Sequence, residues 1–269
     1  MKKYSRVLTI AGSDSGGGAG IQADIKTISA LGGYAASAIT AVTVQNTLGV
    51  SGVHPIPIDI IRGQIDVVLS DIGADAIKIG MLHSAEVVEM IIERLDHYKI
   101  QNIVVDPVMV STSGHKLIED SAIELLRTEL LPRARIITPN IPEAEILLGT
   151  QIDRQEQLTS LAKELSPNAT CSVLLKAGHL TEDTLIDIFY NAEDDTITEL
   201  SSQRLITPNT HGTGCTLSSA VATCLALGMD PTKAVIQAKE YINKAILSGA
   251  EYSLGSGHGA VNHFHAFYR

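Results

Sequence analysis

The sequence predicts an α/β fold of three layers, with a central, mainly parallel sheet between helices on both faces. Short runs rich in Val, Ile and Leu recur along the chain, and amphipathic segments separate them. Polar residues stand at the ends of those runs. Continuous apolar strands alternating with helices are what a parallel sheet covered on both sides requires.

Taken in order, residues 7–11 are the first predicted strand, and a glycine-rich stretch leads from it into a helix over 20–31. Strand 35–44 precedes helix 59–69, strand 76–79 precedes helix 85–98, and strand 103–105 precedes helix 121–130. Strand 135–138, helix 155–165 and strand 173–175 follow. Residues 184–189 and 196–200, joined around 193–195, read as a hairpin at a sheet edge. Two helices close the chain, over 213–227 and 231–247. The second has Asp230 as its N-cap and Pro231 at its first position. In the first, Leu217, Ala220, Val221, Cys224 and Leu225 share one apolar stripe, whereas Cys215 belongs to the first turn. No repeat, low-complexity tract or long linker interrupts the pattern, so a single domain over 1–269 is expected.

The composition excludes several classes. With 45% hydrophobic and 19% charged residues, the 269-residue chain is globular rather than disordered. A net charge of −10 argues against nonspecific binding to nucleic acid or anionic membranes. No apolar run approaches the ~20 residues of a membrane helix. The three cysteines, Cys171, Cys215 and Cys224, form no C-x-x-C pair and no even disulfide set. A cytoplasmic location is therefore expected.

Gly12, Gln45, Met81, Asp106, Asn140 and Lys176 all stand at or just past the ends of predicted strands. Parallel sheets bind ligands outside those ends. The stretch A-G-S-D-S-G-G-G-A-G-I-Q-A-D fits neither the Walker loop nor the G-x-G-x-x-G fingerprint, which weakens a Rossmann-type oxidoreductase. Asp24 shares a core-facing stripe with Ile28 and Leu31; such a carboxylate needs a salt-bridge partner or a ligand. Gln45 carries both a donor and an acceptor and suits either a heterocycle edge or backbone groups.

T-H-G-T-G-C, residues 210–215, is the sharpest signal. Glycines before a helix leave amides free, and the helix end adds positive charge, which together seat a transferring phosphate. A thiol there is expected to have a depressed pKa and to serve as a base. Lys176 can neutralise nucleotide phosphates, and Asp106, Asn140 and Glu143 offer the hard oxygens that Mg²⁺ accepts, through water. N-H-F-H, residues 262–265, reads as C-terminal packing.

These motifs, with V-T-V-Q-N-T, I-K-I-G-M-L, V-V-D-P-V-M-V-S-T-S-G, T-P-N-I-P-E-A and L-L-K-A-G-H, occur in one order from residue 7 to the C-terminal H-F-H-A-F. Together they resemble the hydroxymethylpyrimidine/phosphomethylpyrimidine kinases of thiamine biosynthesis, within the ribokinase-like superfamily. The resemblance implies ATP and Mg²⁺ as cofactors and two successive phosphorylations of an aminopyrimidine. It implies a homodimer as well. It puts Gly12, Asp24, Gln45, Met81 and Val108 at the aminopyrimidine, and Asn140 and Glu143 at an N-x-x-E metal motif with Asp106 near the phosphates. Gly212, Thr213 and Gly214 fall at the anion hole, Cys215 at the catalytic-base position, and Lys176, Asn140 and Thr213 at the nucleotide. Related pyridoxal kinases also carry cysteine at that position, so pyridoxal kinase is the alternative activity. A pyrimidine-binding sensor is the alternative without catalysis.

Overall fold

Among the described residues, the predicted apolar runs and one further segment become the strands of one nine-stranded sheet. They are β1 (Arg6–Asp14), β2 (Tyr34–Asn46), β3 (Gly49–Pro55), β4 (Ala76–Ile79), β5 (Ile103–Val105), β6 (Ile136–Ile137), β7 (Ser172–Leu175), β8 (Thr184–Asn191) and β9 (Thr196–Gln203). The structure, a computed structural model, describes residues 2–109 and 118–267. Residues 110–114, the end of the V-V-D-P-V-M-V-S-T-S-G motif, lie outside the described residues.

The strand order is β3-β2-β1-β4-β5-β6-β7-β8-β9. The pairs from β2 through β1 and β4 to β7 are parallel, and the outer pairs β2–β3, β7–β8 and β8–β9 are antiparallel. Leu8 of β1 lies beside Ala36 of β2 on one side and Ile77 of β4 on the other. The chain thus reverses its direction of growth between β1 and β4, and a crevice opens beyond the carboxyl ends there.

Alternation along the strands divides the core. Leu8, Ile10, Ile77, Ile79, Ile103 and Val105 face one cluster, packed by α2 (Ile58–Val67), α3 (Ala85–Tyr98), α4 (Asp120–Leu125), α5 (Ile141–Leu148) and α6 (Leu158–Glu164). Val7, Ala76 and Val104 face the other, packed by α1 (Gly20–Ala30), α7 (Thr213–Ala226) and α8 (Pro231–Gly249). This is the expected three-layer arrangement. Helix α7 is buried on nearly every side, so its serines and threonines must find partners inside the protein. Asp230 caps α8 through the Lys233 amide at 2.9 Å, as its position indicated.

Several boundaries differ from the sequence pattern. Strand β3 was not anticipated, because it contains two glycines and is largely exposed, so no apolar run marks it. Helix α5 begins at the N-x-x-E motif, where the sequence pattern predicts no helix. The predicted helices 59–69 and 121–130 end as π-type turns, Val68–Ile72 and Leu126–Leu130. Strand β6 is two residues where four were expected.

Candidate active site

A cleft of about 1070 Å³ runs along the carboxyl edge of the sheet. Gly12, Gln45, Met81, Val108, Asp106, Asn140, Glu143, Lys176 and the Gly212–Cys215 turn all line it. The strand ends thus bring these scattered residues to one place. Asp24 is the exception.

At one end, Gly12 and Met81 face each other from β1 and the segment after β4. A Cβ on Gly12 would lie 2.8 Å from Met81 Cε, so the bare backbone makes room for the thioether. Gln45 follows a bulge near the end of β2, where Thr43 Oγ1 donates to its Oε1 at 3.1 Å. His211, which sequence reasoning did not single out, stands between Gln45 and Asp14. Its Nε2 donates to Asp14 Oδ2 at 2.8 Å and lies 3.3 Å from Gln45 Nε2. Asp14 also accepts the amides of Gly16, Gly18 and Ala19, which folds the glycine loop around one carboxylate. Burial alone would raise that carboxyl, but the His211 bond and these amides hold it below its ordinary value.

In the middle, Gly212 is the N-cap of α7; its φ of 81° is left-handed, and a Cβ there would run into Gly18 O. Only glycine fits there. No side chain caps this helix end; the Thr213 amide turns back to Thr210 O at 3.3 Å, and the amides that follow, with the helix dipole, are left for an anion. A Cβ on Gly214 would lie 3.4 Å from Asp106 Oδ2 and 3.5 Å from Lys176 Nζ, so the turn abuts that ion pair. Lys176 Nζ and Thr138 Oγ1 both donate to Asp106 Oδ1, at 3.2 and 3.0 Å, and Ser218 Oγ donates to Oδ2 at 3.3 Å. Burial opposes the charge on Asp106, yet Lys176 and Lys78 outweigh it and hold the carboxyl below its usual range.

The expected depressed thiol is not found. Burial pushes the Cys215 pKa up to about 11; Lys78 and a hydrogen bond from the Gly20 amide oppose this, and Asp24 and Asp106 reinforce it. Desolvation at the cleft outweighs the pull of the helix end on the thiolate. His263 and the C-terminal segment pack against the same helix. His263 is buried, 3.1 Å from Thr216 Oγ1, in agreement with a packing role.

Asn140 and Glu143 form a reciprocal capping box on α5. Asn140 Oδ1 accepts the Glu143 amide and Glu143 Oε2 accepts the Asn140 amide, both at 2.9 Å. Burial, reinforced by Asp106 and opposed by Lys176, pushes the Glu143 carboxyl up to about 7. Among the described residues no cluster of three His, Cys, Asp or Glu side chains could hold a metal directly. Asp106, Asn140 and Glu143 all line the cleft, and Lys176 lies near both carboxyl groups.

Asp24 lies under the floor. It is fully buried; Lys78 Nζ donates to both its oxygens at 2.9 and 3.0 Å, Thr9 Oγ1 to Oδ2 at 2.6 Å, and Ser219 Oγ to Oδ1 at 2.7 Å. Its acceptors are taken, so the assignment of Asp24 to the aminopyrimidine gives way to the salt-bridge reading. Lys78, also missed, does line the cleft. The other end of the cleft has the apolar walls Leu185, Ile242, Ile246 and Leu247, beside Lys239, which pairs with Asp187 at 2.7 Å.

The model of the family described as phosphomethylpyrimidine kinase matches residues 14–262. The hydroxymethylpyrimidine/phosphomethylpyrimidine kinase of Escherichia coli (strain K12) is 43% identical over 269 residues, with 100% of both chains covered. The thiamine biosynthesis bifunctional protein ThiED of Geobacter sulfurreducens is 48% identical over 257 residues, which are 96% of this chain and 52% of the relative. The chain thus spans about half the length of that bifunctional relative. Among solved structures, phosphomethylpyrimidine kinase from Clostridium difficile 630 superposes with a TM-score of 0.78 at 44% identity, covering 90% of this chain and 99% of that one. The pyridoxal kinase from Staphylococcus aureus in complex with ADP gives a TM-score of 0.90 at 34% identity, covering 99% and 96%.

Proposed function

The chain belongs to the phosphomethylpyrimidine kinase family, and from that premise we propose that it is an ATP-dependent kinase of thiamine biosynthesis, working as one domain over residues 1–269. Its acceptor is 4-amino-5-hydroxymethyl-2-methylpyrimidine, which it converts to the monophosphate and then to the diphosphate. The observation that carries the reading is the α7 N-terminus, uncapped and set against the Lys176–Asp106 pair, with Gln45, Gly12 and Met81 at one end of the same cleft.

Catalysis is mainly positioning and charge stabilisation. The Gly212–Cys215 amides and Lys176 hold the transferring group. In the first transfer the hydroxymethyl oxygen bonds to the γ-phosphorus while the bond to the β,γ-bridging oxygen breaks, its electron pair leaving on ADP. The hydroxyl proton passes to the Cys215 thiolate. In the second transfer the nucleophile is a phosphate oxygen, ionised at neutral pH, and no base is needed. Asp106, Asn140 and Glu143 would hold Mg²⁺, which would supply charge compensation on the phosphate oxygens.

Gln45 pairs with the ring nitrogen and exocyclic amine of the pyrimidine, and Val108 with Met81 gives its apolar contact. The similarity to pyridoxal kinase supports pyridoxal as the second candidate acceptor. The exposed apolar residues Val42 and Val44, on one face of β2 beside the edge strand β3, support a homodimer through that face. Three free cysteines and the absence of basic surface excess support a cytoplasmic enzyme without nucleic-acid partners. No described helix is long and apolar enough to cross a membrane.

The test is to incubate the protein with Mg-ATP and either the hydroxymethylpyrimidine or pyridoxal and to identify the products. Pyrimidine monophosphate followed by diphosphate is expected. Pyridoxal phosphate alone would move the assignment to pyridoxal kinase, and ligand binding without ADP would make the protein a sensor.

A further inference from the structure

A lysine in the middle of a buried strand needs an explanation beyond packing. Lys78 sits between Ile77 and Ile79, which face the opposite core, and it is itself fully buried. A lone buried lysine sheds its proton to escape the desolvation cost. Asp24 prevents that: burial works against the Lys78 charge, but the adjacent carboxylate raises its pKa above the ordinary value. Thr9 and Ser219 fill the remaining acceptor positions of Asp24, so the carboxylate has no freedom to turn elsewhere.

The pair has a definite address. Ser219 stands four residues after Cys215 on α7, so the two share a helix face. Ser219 touches Asp24 at 2.7 Å, which sets the ion pair one turn below the Cys215 side chain. Lys78, without solvent exposure, borders from beneath the cleft that Cys215 also lines, while Asp24 does not border it. At Gly80 a Cβ would lie 2.8 Å from Lys78 Nζ, so the bare backbone leaves the ammonium its space. Facing Cys215 from the packed elements are Lys78 of β4, Asp24 of α1, Asp106 beyond β5, Lys176 beyond β7 and the Gly20 amide. Among these, Lys78 acts most strongly in favour of the thiolate.

We propose that Lys78, kept charged by Asp24, is the positioning residue that serves as counter-charge to the Cys215 thiolate in the first phosphorylation. The proposal rests on the base role assigned to Cys215. The free thiol loses its proton to solvent and leaves a thiolate beside the ammonium; the thiolate then takes the hydroxymethyl proton as the new O–P bond forms. Asp24 neither touches substrate nor moves a proton.

The test is the rate of Cys215 alkylation by iodoacetamide in the parent and in Lys78→Met, followed by mass spectrometry at fixed pH between about 7.5 and 9. Loss of the counter-charge lowers the thiolate fraction about tenfold per unit of pKa, partly offset by greater nucleophilicity of the remaining thiolate, so a fall of about threefold or more is expected. The rate of the first phosphorylation falls with it, and the second is little changed. A purely structural Lys78 would give the opposite sign, because a loosened floor exposes the thiol and speeds alkylation. An unchanged or faster alkylation overturns the proposal. Should Lys78→Met fail to fold, the Lys78→Met/Asp24→Leu double variant replaces the pair by apolar groups. Its alkylation also slows, by less, because Lys78 outweighs Asp24 at the sulfur; unchanged or faster alkylation overturns the proposal there too. Equal losses of both phosphorylations in Cys215→Ala would remove the base role without altering the alkylation result, so the two failures are distinguishable.

Discussion

Asp24 and Lys78 meet face to face with both side chains at 0% exposure, the ammonium 2.9 Å from one carboxylate oxygen and 3.0 Å from the other. Their pairing joins α1, β4 and, through Ser219, α7 beneath the cleft.

Breaking this pair from one side leaves a buried charge without a partner, which costs about 3–5 kcal/mol. Asp24→Ala is expected to lose that much stability in urea denaturation. A loss below about 1 kcal/mol would mean that Lys78 discharges or finds water at little cost.

Both members of the pair were visible in the sequence, but separately. Asp24 drew notice as a carboxylate on an apolar stripe, whereas Lys78 was absorbed into the apolar run A-I-K-I. A lysine inside a strand covered on both faces demands a buried anion, and that requirement would have found it. Elements with continuous apolar or amphipathic patterns, β4, β5 and α3, have their observed bounds in the sequence. Strand β3 does not, since its pairing with β2 is made by an exposed backbone that leaves no apolar trace. The site was legible as a set of strand ends. The partners of those residues were not, because His211 meets Asp14 across 197 positions of chain. The thiol shift was missed for a further reason. Desolvation depends on how the cleft is roofed and floored, which no local motif records.

The His211 contact makes a prediction about ligand affinity. His211→Ala frees the Gln45 amide from one of its two neighbours, and Gln45→Ala removes the heterocycle contact itself. Both are expected to weaken pyrimidine binding, measured calorimetrically, with ATP affinity nearly unchanged. A parallel loss of both affinities would make the two residues structural.

Glu143 carries a pH dependence with a definite sign. Its folded value is about 7 against an ordinary 4.5, so the stability held by the neutral form is present below about 4.5 and lost as pH rises through about 7. Glu143→Gln keeps the capping box, since Gln also fills that position, and removes the charge. Without Mg²⁺, the variant should match the parent in melting temperature at low pH and exceed it near pH 8. Its Mg²⁺ requirement should rise at the same time. A melting-temperature difference independent of pH would contradict the burial of an ionised Glu143.

The central claim is that one thiol serves one of two phosphorylations at a shared anion hole. Its most direct test is to measure the two transfers separately, from the hydroxymethylpyrimidine and from its monophosphate, in the parent and in Cys215→Ala. In the parent the first rate should climb with pH toward the thiol value of about 11 while the second stays flat near neutrality. In Cys215→Ala the first transfer should fall about 100- to 10,000-fold, the usual worth of a general base, and the second should change little. Equal losses in both transfers would contradict the account and leave Cys215 as part of the anion hole alone.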